Sequence, residues 1–239
     1  MNFEEFNREL TEKLSKINVN IADKQAEQLY KYMNLLIEWN EKINLTAIIE
    51  PDDIILKHFV DSLTVLNEIP DNAKVADIGT GAGFPGLPIK IARPDTDVFL
   101  IDSLNKRIKF LDEVILENKL NNVHAIHARA EEIGHNKDYR EKCDVVTSRA
   151  VAKLNVLLEY MMPLVKLGGK CICLKGPNVE EEIEEARNAI EILGGEVEKI
   201  ESITLPDSDN KRTIIVIKRV KQLPNKYPRK AGTPTVSPL

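Results

Sequence analysis

The spacing of apolar residues divides the chain of 239 residues into a helical segment and a longer alternation of strands and helices. Near the N-terminus, apolar side chains such as Phe6 and Leu10 recur every three or four positions, which is the pattern of an amphipathic helix. The same spacing returns from Ala22 and again after Pro51, a residue type suited to the first turn of a helix. We therefore predict an N-terminal helical cap over residues 1–70.

After residue 70, short runs of apolar and β-branched residues alternate with helical stretches. The predicted strands are Val75–Ile78, Val98–Ile101, Val123–His127, Cys143–Thr147, Lys170–Leu174, Val197–Ile203 and Thr213–Ile217. Repeated strand–helix units form a mostly parallel sheet with helices on both faces. The last two strands have no helix between them, so one of them should run antiparallel. The pattern predicts an α/β fold, a seven-stranded Rossmann-like sheet with one antiparallel strand, over residues 71–220.

A glycine-rich turn after the first predicted strand is the clearest chemical signal in the chain. It reads Asp77-x-Gly79-x-Gly81-x-Gly83, with a further glycine at Gly86. The last three glycines match the fingerprint of dinucleotide-binding proteins. However, no lysine or arginine occurs between Asp77 and Leu87, and a carboxylate beside a pyrophosphate would repel it. S-adenosylmethionine has no phosphate and carries an ammonium and a sulfonium. The turn therefore favours this methyl donor, and a dinucleotide-dependent oxidoreductase stays the alternative.

The other candidate cofactor ligands follow the strands at their carboxyl ends, where open α/β sheets bind their ligands. Asp102, at the end of the second strand, can accept hydrogen bonds from both ribose hydroxyls, or it can cap the next helix. Ala130 and Glu131, after the third strand, are placed to flank an adenine. The predicted cofactor-binding residues are Asp77, Gly79, Thr80, Gly81, Gly83, Phe84, Asp102, Ser103, Ala130, Glu131 and Arg149.

Charge and cysteine content narrow the class of protein. The net charge of −5 makes the chain as a whole a poor polyanion binder, so a nucleic-acid surface would have to be local. The three cysteines include no CxxC pair, which favours free thiols in a reducing compartment. The acidic N-terminus has no signal-peptide pattern, and we expect a cytoplasmic protein without a membrane segment. His124 and His127 point to opposite faces of a strand, so no metal site is predicted.

The C-terminal segment, residues 221–239, is predicted to be a basic arm, because no acidic residue occurs after Asp209. The basic residues after Asp209 are Lys211, Arg212, Lys218, Arg219, Lys221, Lys226, Arg229 and Lys230. Such an arm can bind a phosphate backbone. An ordinary charged tail is the alternative, and so is an arm that packs across the helical cap.

Several longer segments carry a family resemblance. They are Trp39–Thr46, His58–Leu63, the glycine turn with Phe84-Pro85-Gly86, Ser148-Arg149-Ala150, and Lys226–Pro234. Together they resemble the bacterial guanine-N7 methyltransferases of small-subunit ribosomal RNA, over nearly the whole chain. The resemblance implies a class I methyltransferase that uses S-adenosylmethionine to methylate N7 of one guanine in the 530 loop of 16S ribosomal RNA. An RNA-binding protein on an inactive methyltransferase fold is a further alternative.

The same resemblance gives the remaining residues their expected roles. Arg149 and Lys175, which follow the fourth and fifth strands, are the candidates for positioning the base, although Arg149 could instead form a surface ion pair. The candidate substrate or RNA contacts are His58, Asp61, Lys106, Arg129, Lys226, Arg229 and Lys230. The expected partner is 16S ribosomal RNA or a small-subunit particle, and the protein itself is expected to be a monomer.

Overall fold

A single sheet contains all seven predicted strands in the computed structural model, which describes residues 1–239. The strands are β1 (Lys74–Ile78), β2 (Asp97–Asp102), β3 (Val123–His127), β4 (Cys143–Arg149), β5 (Val165–Lys175), β6 (Gly195–Thr204) and β7 (Lys211–Arg219). Their order is β3-β2-β1-β4-β5-β7-β6, and β7 is antiparallel to both of its neighbours. The predicted α/β sheet with one antiparallel strand is therefore confirmed.

Strand β5 begins at Val165, earlier than the predicted Lys170, and it includes Gly168-Gly169, a residue pair typical of turns. The register against β4 shifts between Cys143 and Val145, so the glycines form an irregular stretch inside the strand. Gly168 has a φ of +82°, a conformation that glycine adopts without steric cost. Strand β5 therefore continues through a glycine pair, although such pairs usually end a strand.

The helices lie on both faces of the sheet. They are α1 (Phe3–Lys16), α2 (Asp23–Ile43), α3 (Pro51–Ile54), α4 (Asp61–Leu63), α5 (Gly86–Ala92), α6 (Asn105–Glu117), α7 (Ala130–Ile133), α8 (Leu154–Met161), α9 (Glu180–Glu185), α10 (Arg187–Ile192) and α11 (Thr233–Val236). Helices α9 and α10 are separated only at Ala186, whose N–H bonds to the carbonyls of both Glu182 and Ile183. None of the helices has the length and apolar character needed to cross a membrane.

The third predicted helix is not a regular α-helix. A π-helical segment, Ile55–Val60, connects α3 to α4. Such segments are rare and often occur at functional sites. Here the segment contains His58 and leads directly to Asp61, and both side chains are buried. One candidate site residue, His58, thus lies on backbone of unusual geometry, and Asp61 follows this segment directly.

Two hydrophobic clusters cover the two faces of the sheet. The first contains 39 buried residues and joins the N-terminal helices to α5, α6 and one face of the strands. Phe59 of the cap is fully buried in it, and burying a side chain of this size contributes about 1.5–3 kcal/mol. The second contains 24 buried residues and joins the other face to α8, α10 and the start of the C-terminal arm. The cap therefore shares a core with the sheet, and the boundary at residue 70 stays a prediction.

Candidate active site

A cavity of about 640 Å³ opens at the carboxyl edge of the sheet, where the connections after β1, β2, β3 and β4 meet. Strand β1 lies between β2 and β4, and this reversal of strand order is where doubly wound sheets bind their ligands. The cap completes the wall with Leu45, Thr46 and His58. The predicted site residues in the wall are His58, Gly79, Thr80, Gly81, Phe84, Asp102, Ser103, Arg129, Ala130, Glu131 and Arg149.

The glycine turn closes tightly over the end of β1. The N–H groups of Gly79 and Thr80 both donate to the carbonyl of Ile101, which ties the turn to β2. Gly83 has a φ of +102°, and a Cβ built there would lie 2.5 Å from Leu87 Cδ1. This glycine is required by packing and by its backbone conformation, and it does not line the cavity. The structure thus shows a packing role for Gly83, and its predicted contact with the cofactor stays a prediction.

Asp77 lies beneath the turn and not in the cavity wall, which corrects its expected place. Its carboxylate is fully buried, and Oδ2 accepts hydrogen bonds from Thr80 Oγ1 at 2.7 Å and from the N–H of Gly86 at 2.8 Å. Oδ1 has no hydrogen-bond partner. Burial raises the pKa of Asp77 from 3.8 to about 6, although the bonds to Thr80 and Gly86 oppose this shift. The carboxylate thus braces the turn and keeps one oxygen unsatisfied.

This raised pKa predicts a pH dependence of stability. Because the folded pKa is above the unfolded one, the folded state holds an extra proton between about pH 4 and pH 6, and its free energy of unfolding should fall as the pH rises through that window. The Asp77→Asn variant has no carboxyl group at this position, so its free energy of unfolding should fall less over the same pH range. Thermal melts of both proteins from pH 4 to 7.5 measure the difference. A difference in stability that is constant with pH would contradict a raised pKa at Asp77.

Asp102 has its expected position in the wall, but its carboxylate is already engaged. Oδ2 accepts from the N–H of Gly81 at 3.0 Å and from Arg107 Nη1 at 3.1 Å, and Oδ1 accepts from the N–H of Leu104 at 2.9 Å. The carboxylate therefore holds the glycine turn and the start of α6 together, besides facing the cavity. Arg107, which the sequence did not single out, lines the same end, and its Nε has no partner. The sequence could have indicated Arg107, because it lies in the first turn of α6, shortly after Asp102.

At the opposite end of the cavity, Arg149 joins β4 to the cap. Its Nη1 donates to Asp61 Oδ2 and to the carbonyl of Lys57, both at 3.0 Å, and its Nη2 lies 3.0 Å from His58 Nδ1. The guanidinium also lies over the ring of Phe84, 5.1 Å from its centroid. Asp61 accepts a further bond from Arg212 Nε at 3.2 Å. The predicted residues His58, Asp61 and Arg149 are thus brought together, and the ion pair joins a buried carboxylate to a guanidinium that is only partly exposed.

His58 and Phe84 form a flat apolar wall beside this cluster. Their rings stack with centroids 4.2 Å apart and an interplanar angle of 12°. Burial and the nearby Arg149 charge lower the pKa of His58 from 6.5 to about 3, so the ring is neutral at ordinary pH. Arg212 was missed as a partner of Asp61, because in the sequence it is only one of the basic residues that follow Asp209.

The structure removes Lys175 from the candidates for base positioning. Its Nζ donates to Glu182 Oε1 and to the carbonyl of Ala152, both at 2.6 Å, and it does not line the cavity. The same Glu182 oxygen accepts from the N–H of Leu154 and so holds the start of α8. A lysine bound in this way stabilises the connections after β4 and β5. Lys106 is exposed and lies outside the cavity wall, so it can contact only a ligand that extends beyond it.

The C-terminal arm packs on α7 and α8 and not across the helical cap. Arg229 donates from Nε and Nη2 to the carboxylate of Glu159, which is fully buried, and its backbone N–H bonds to the same group. Tyr227 is buried in the second hydrophobic cluster, while Lys226 and Lys230 are exposed. Arg229 is therefore an anchor of the arm, which corrects its predicted role as a phosphate contact.

Comparison with known proteins gives the family. The model of the family described as rRNA small subunit methyltransferase G matches residues 25–215. A protein of Alkaliphilus oremlandii named ribosomal RNA small subunit methyltransferase G is 54% identical over 225 residues, which covers 93% of this chain and 94% of its own. One of the same name from Desulforamulus reducens is 55% identical over 232 residues, 96% of this chain and 97% of its own.

A solved structure supports the fold alone. The crystal structure of M. jannaschii TYW2 in complex with AdoMet superposes with a TM-score of 0.53 at 20% identity, over 66% of this chain and 73% of its own. The family match and the relatives extend over most of the chain, including the glycine turn, Asp102 and Arg149. The chain therefore belongs to the rRNA small subunit methyltransferase G family.

Proposed function

We propose that this methyltransferase transfers a methyl group from S-adenosylmethionine to N7 of a single guanine in the 530 loop of 16S ribosomal RNA. The observation that carries the proposal is the two-ended cavity at the carboxyl edge of the sheet. One end has the carboxylates of Asp102 and Glu131, which suit a nucleoside. The other end has Thr46, His58, Phe84 and Arg149, which suit a second, flat base.

The residues present fit this methyl donor. Asp77 Oδ1 is a buried acceptor without a partner beneath the turn, so its carboxylate would act on a ligand above the turn through its charge, which favours an ammonium or a sulfonium over a pyrophosphate. Asp102 and Ser103 would hold the ribose, and Ala130 and Glu131 would flank the adenine, with Gly79, Thr80 and Gly81 along the methionine part. The turn itself contains no cation for a pyrophosphate. This composition favours the methyl donor over NAD.

In this reaction, the main task of the protein's side chains would be to position the target base. When bound, S-adenosylmethionine supplies a methyl group to the N7 lone pair, which yields a neutral thioether and a positively charged purine with no proton lost. No general base is required, so the rate depends on holding N7 in line with the reacting carbon. Arg149 is the candidate for this role, because three of its five N–H groups fix it to the cap and the others remain available. Asp61 compensates its charge, which lessens repulsion of the product base.

The remaining contacts concern the RNA outside the cavity. Arg129 in the wall is exposed, and Lys106, Lys226 and Lys230 are exposed outside the wall, so these four side chains would bind phosphates. The partner would be 16S ribosomal RNA or a small-subunit particle, bound by a monomer without a metal ion. A substrate of this kind means that the protein acts in the cytoplasm.

Labelled S-adenosylmethionine and small-subunit particles that lack the modification test the proposal. We expect label in 16S ribosomal RNA at one guanine, with the methyl group on N7 when the position is mapped by chemical cleavage. Fully modified particles are the control and should take up no label. Calorimetry with S-adenosylmethionine and with NAD is the companion measurement. Binding of NAD without binding of the methyl donor, or methylation at another atom, would overturn the assignment.

A further inference from the structure

Thr46 has an unusual position at the cap end of the cavity. It lies just after α2, and Asn40 Oδ1 accepts from the N–H groups of both Leu45 and Thr46, at 2.6 and 2.9 Å. This holds the segment in place without regular secondary structure. The side chain lines the cavity together with His58, Phe84 and Arg149. Its hydroxyl is therefore fixed beside the place proposed for the target base.

Two neighbours occupy the hydroxyl oxygen of Thr46. The N–H of Ile48 donates to Oγ1 at 3.0 Å, and His58 Nε2 lies 2.9 Å from the same atom. Which of His58 Nε2 and Thr46 Oγ1 donates in the second bond follows from the contact at the other ring nitrogen of His58. Arg149 Nη2 lies 3.0 Å from His58 Nδ1, and a guanidinium can only donate. Nδ1 is therefore the acceptor, and the neutral ring carries its proton on Nε2.

The Thr46 hydroxyl can consequently act only as a donor towards a ligand. An alcohol oxygen has two lone pairs, and here the N–H groups of Ile48 and His58 take both. Its own proton has no acceptor in the protein. The ion pair of Asp61 with Arg149 fixes this direction, because it fixes the ring of His58. A chain of contacts from β4 to the cap thus leaves one neutral, directed donor in the cavity wall.

We propose that the Thr46 hydroxyl donates a hydrogen bond to O6 of the target guanine and so selects guanine over adenine. The inference rests on the function proposed above. Guanine presents two acceptors on this edge, N7 and O6, and N7 must keep its lone pair for the methyl group. A directed donor therefore belongs at O6. Adenine has an amino donor at that position, and the occupied oxygen of Thr46 could not accept from it. A neutral hydroxyl also adds no charge beside a base that becomes positive.

Substrates with and without O6 test the proposal. Particles are reconstituted with guanosine or 2-aminopurine at the target position, and single-turnover transfer is measured with saturating S-adenosylmethionine. 2-Aminopurine keeps N7 and lacks O6. We expect Thr46→Val to lower transfer to guanosine about tenfold, the worth of one hydrogen bond of this kind, with no such loss on 2-aminopurine. Thr46→Ser, which restores the hydroxyl, should recover the preference for guanosine.

The comparison of substrates separates recognition from structure. Thr46→Val also leaves the His58 Nε2–H without an acceptor, and any misplacement that results would lower transfer to both substrates alike. An equal loss on both, or an unchanged preference for guanosine, would overturn the role of Thr46. A wild-type protein that transfers no methyl group to guanine N7 would overturn the proposed function itself, and with it this assignment. The effect of intrinsic N7 reactivity cancels, because each variant is compared with the wild type on the same substrate.

Discussion

Arg149→Ala is expected to lower the rate of methyl transfer at least about 100-fold while the protein still folds. The side chain holds β4 to the cap at the end of the cavity proposed for the base, and a small displacement of reacting atoms has effects of this size. Asp61 keeps Arg212 as a partner, so the loss of stability should be limited to about 1–3 kcal/mol. Single-turnover rates, circular dichroism and thermal melts measure the two effects.

Arg212→Ala is the matched control for this experiment. Arg212 binds the same carboxylate of Asp61 but does not line the cavity. It should therefore cost similar stability with a much smaller loss of transfer. Arg149→Lys keeps the charge but not the forked geometry, and it should recover only part of the rate. If both alanine variants lose activity equally, then Arg149 acts only through Asp61. Full activity of Arg149→Ala would mean that another residue positions the base.

Local sequence patterns were sufficient to predict the sheet. Runs such as Val75–Ile78 are short, rich in β-branched residues and bounded by turns, so their structure depends mainly on near neighbours. The missing helix between β6 and β7 similarly predicted the antiparallel strand. The start of β5 was predicted too late, because the place of Gly168-Gly169 inside the strand depends on pairing with β4 and not on local preference.

The cavity was predicted less completely, since its contacts join distant parts of the chain. The carboxyl ends of the strands predicted that Asp102, Glu131 and Arg149 would lie at one edge of the sheet, and all three line the cavity, while their roles as ligands stay a prediction. The contact between Arg149 and His58 joins residues that are 91 positions apart in the sequence, and no local sequence pattern indicates it. Lys175 looked available in the sequence, but Glu182, seven residues later, neutralises it. Whether a charged residue is free or already bound was the property that the sequence could not give.

The arm shows the same limitation, because its basic residues divide into an anchor and exposed charges. Arg229 binds the buried Glu159, whereas Lys226 and Lys230 point away from the core. Arg229→Ala should lower the free energy of unfolding by about 3 kcal/mol, because it leaves a buried carboxylate without its partner. For a chain of this length, that loss lowers the melting temperature by about 6–12 °C. Adding Glu159→Gln to the same variant should restore part of it.

Lys226→Ala and Lys230→Ala should have the opposite profile, with an unchanged melting temperature and weaker binding of RNA. Each lysine that touches a phosphate should reduce the slope of log K against log salt by about 0.7 to 0.9. Under conditions in which the arm stays folded, Arg229→Ala should leave this slope unchanged, because the Arg229 guanidinium is bound to Glu159 and not to a phosphate. Removing everything after Val220 should combine both effects, since Leu223 and Tyr227 are buried as well. A truncated protein with a lowered melting temperature and an unaltered slope would mean that the whole arm is structural, and that the RNA binds through Lys106, Arg129 and other basic residues.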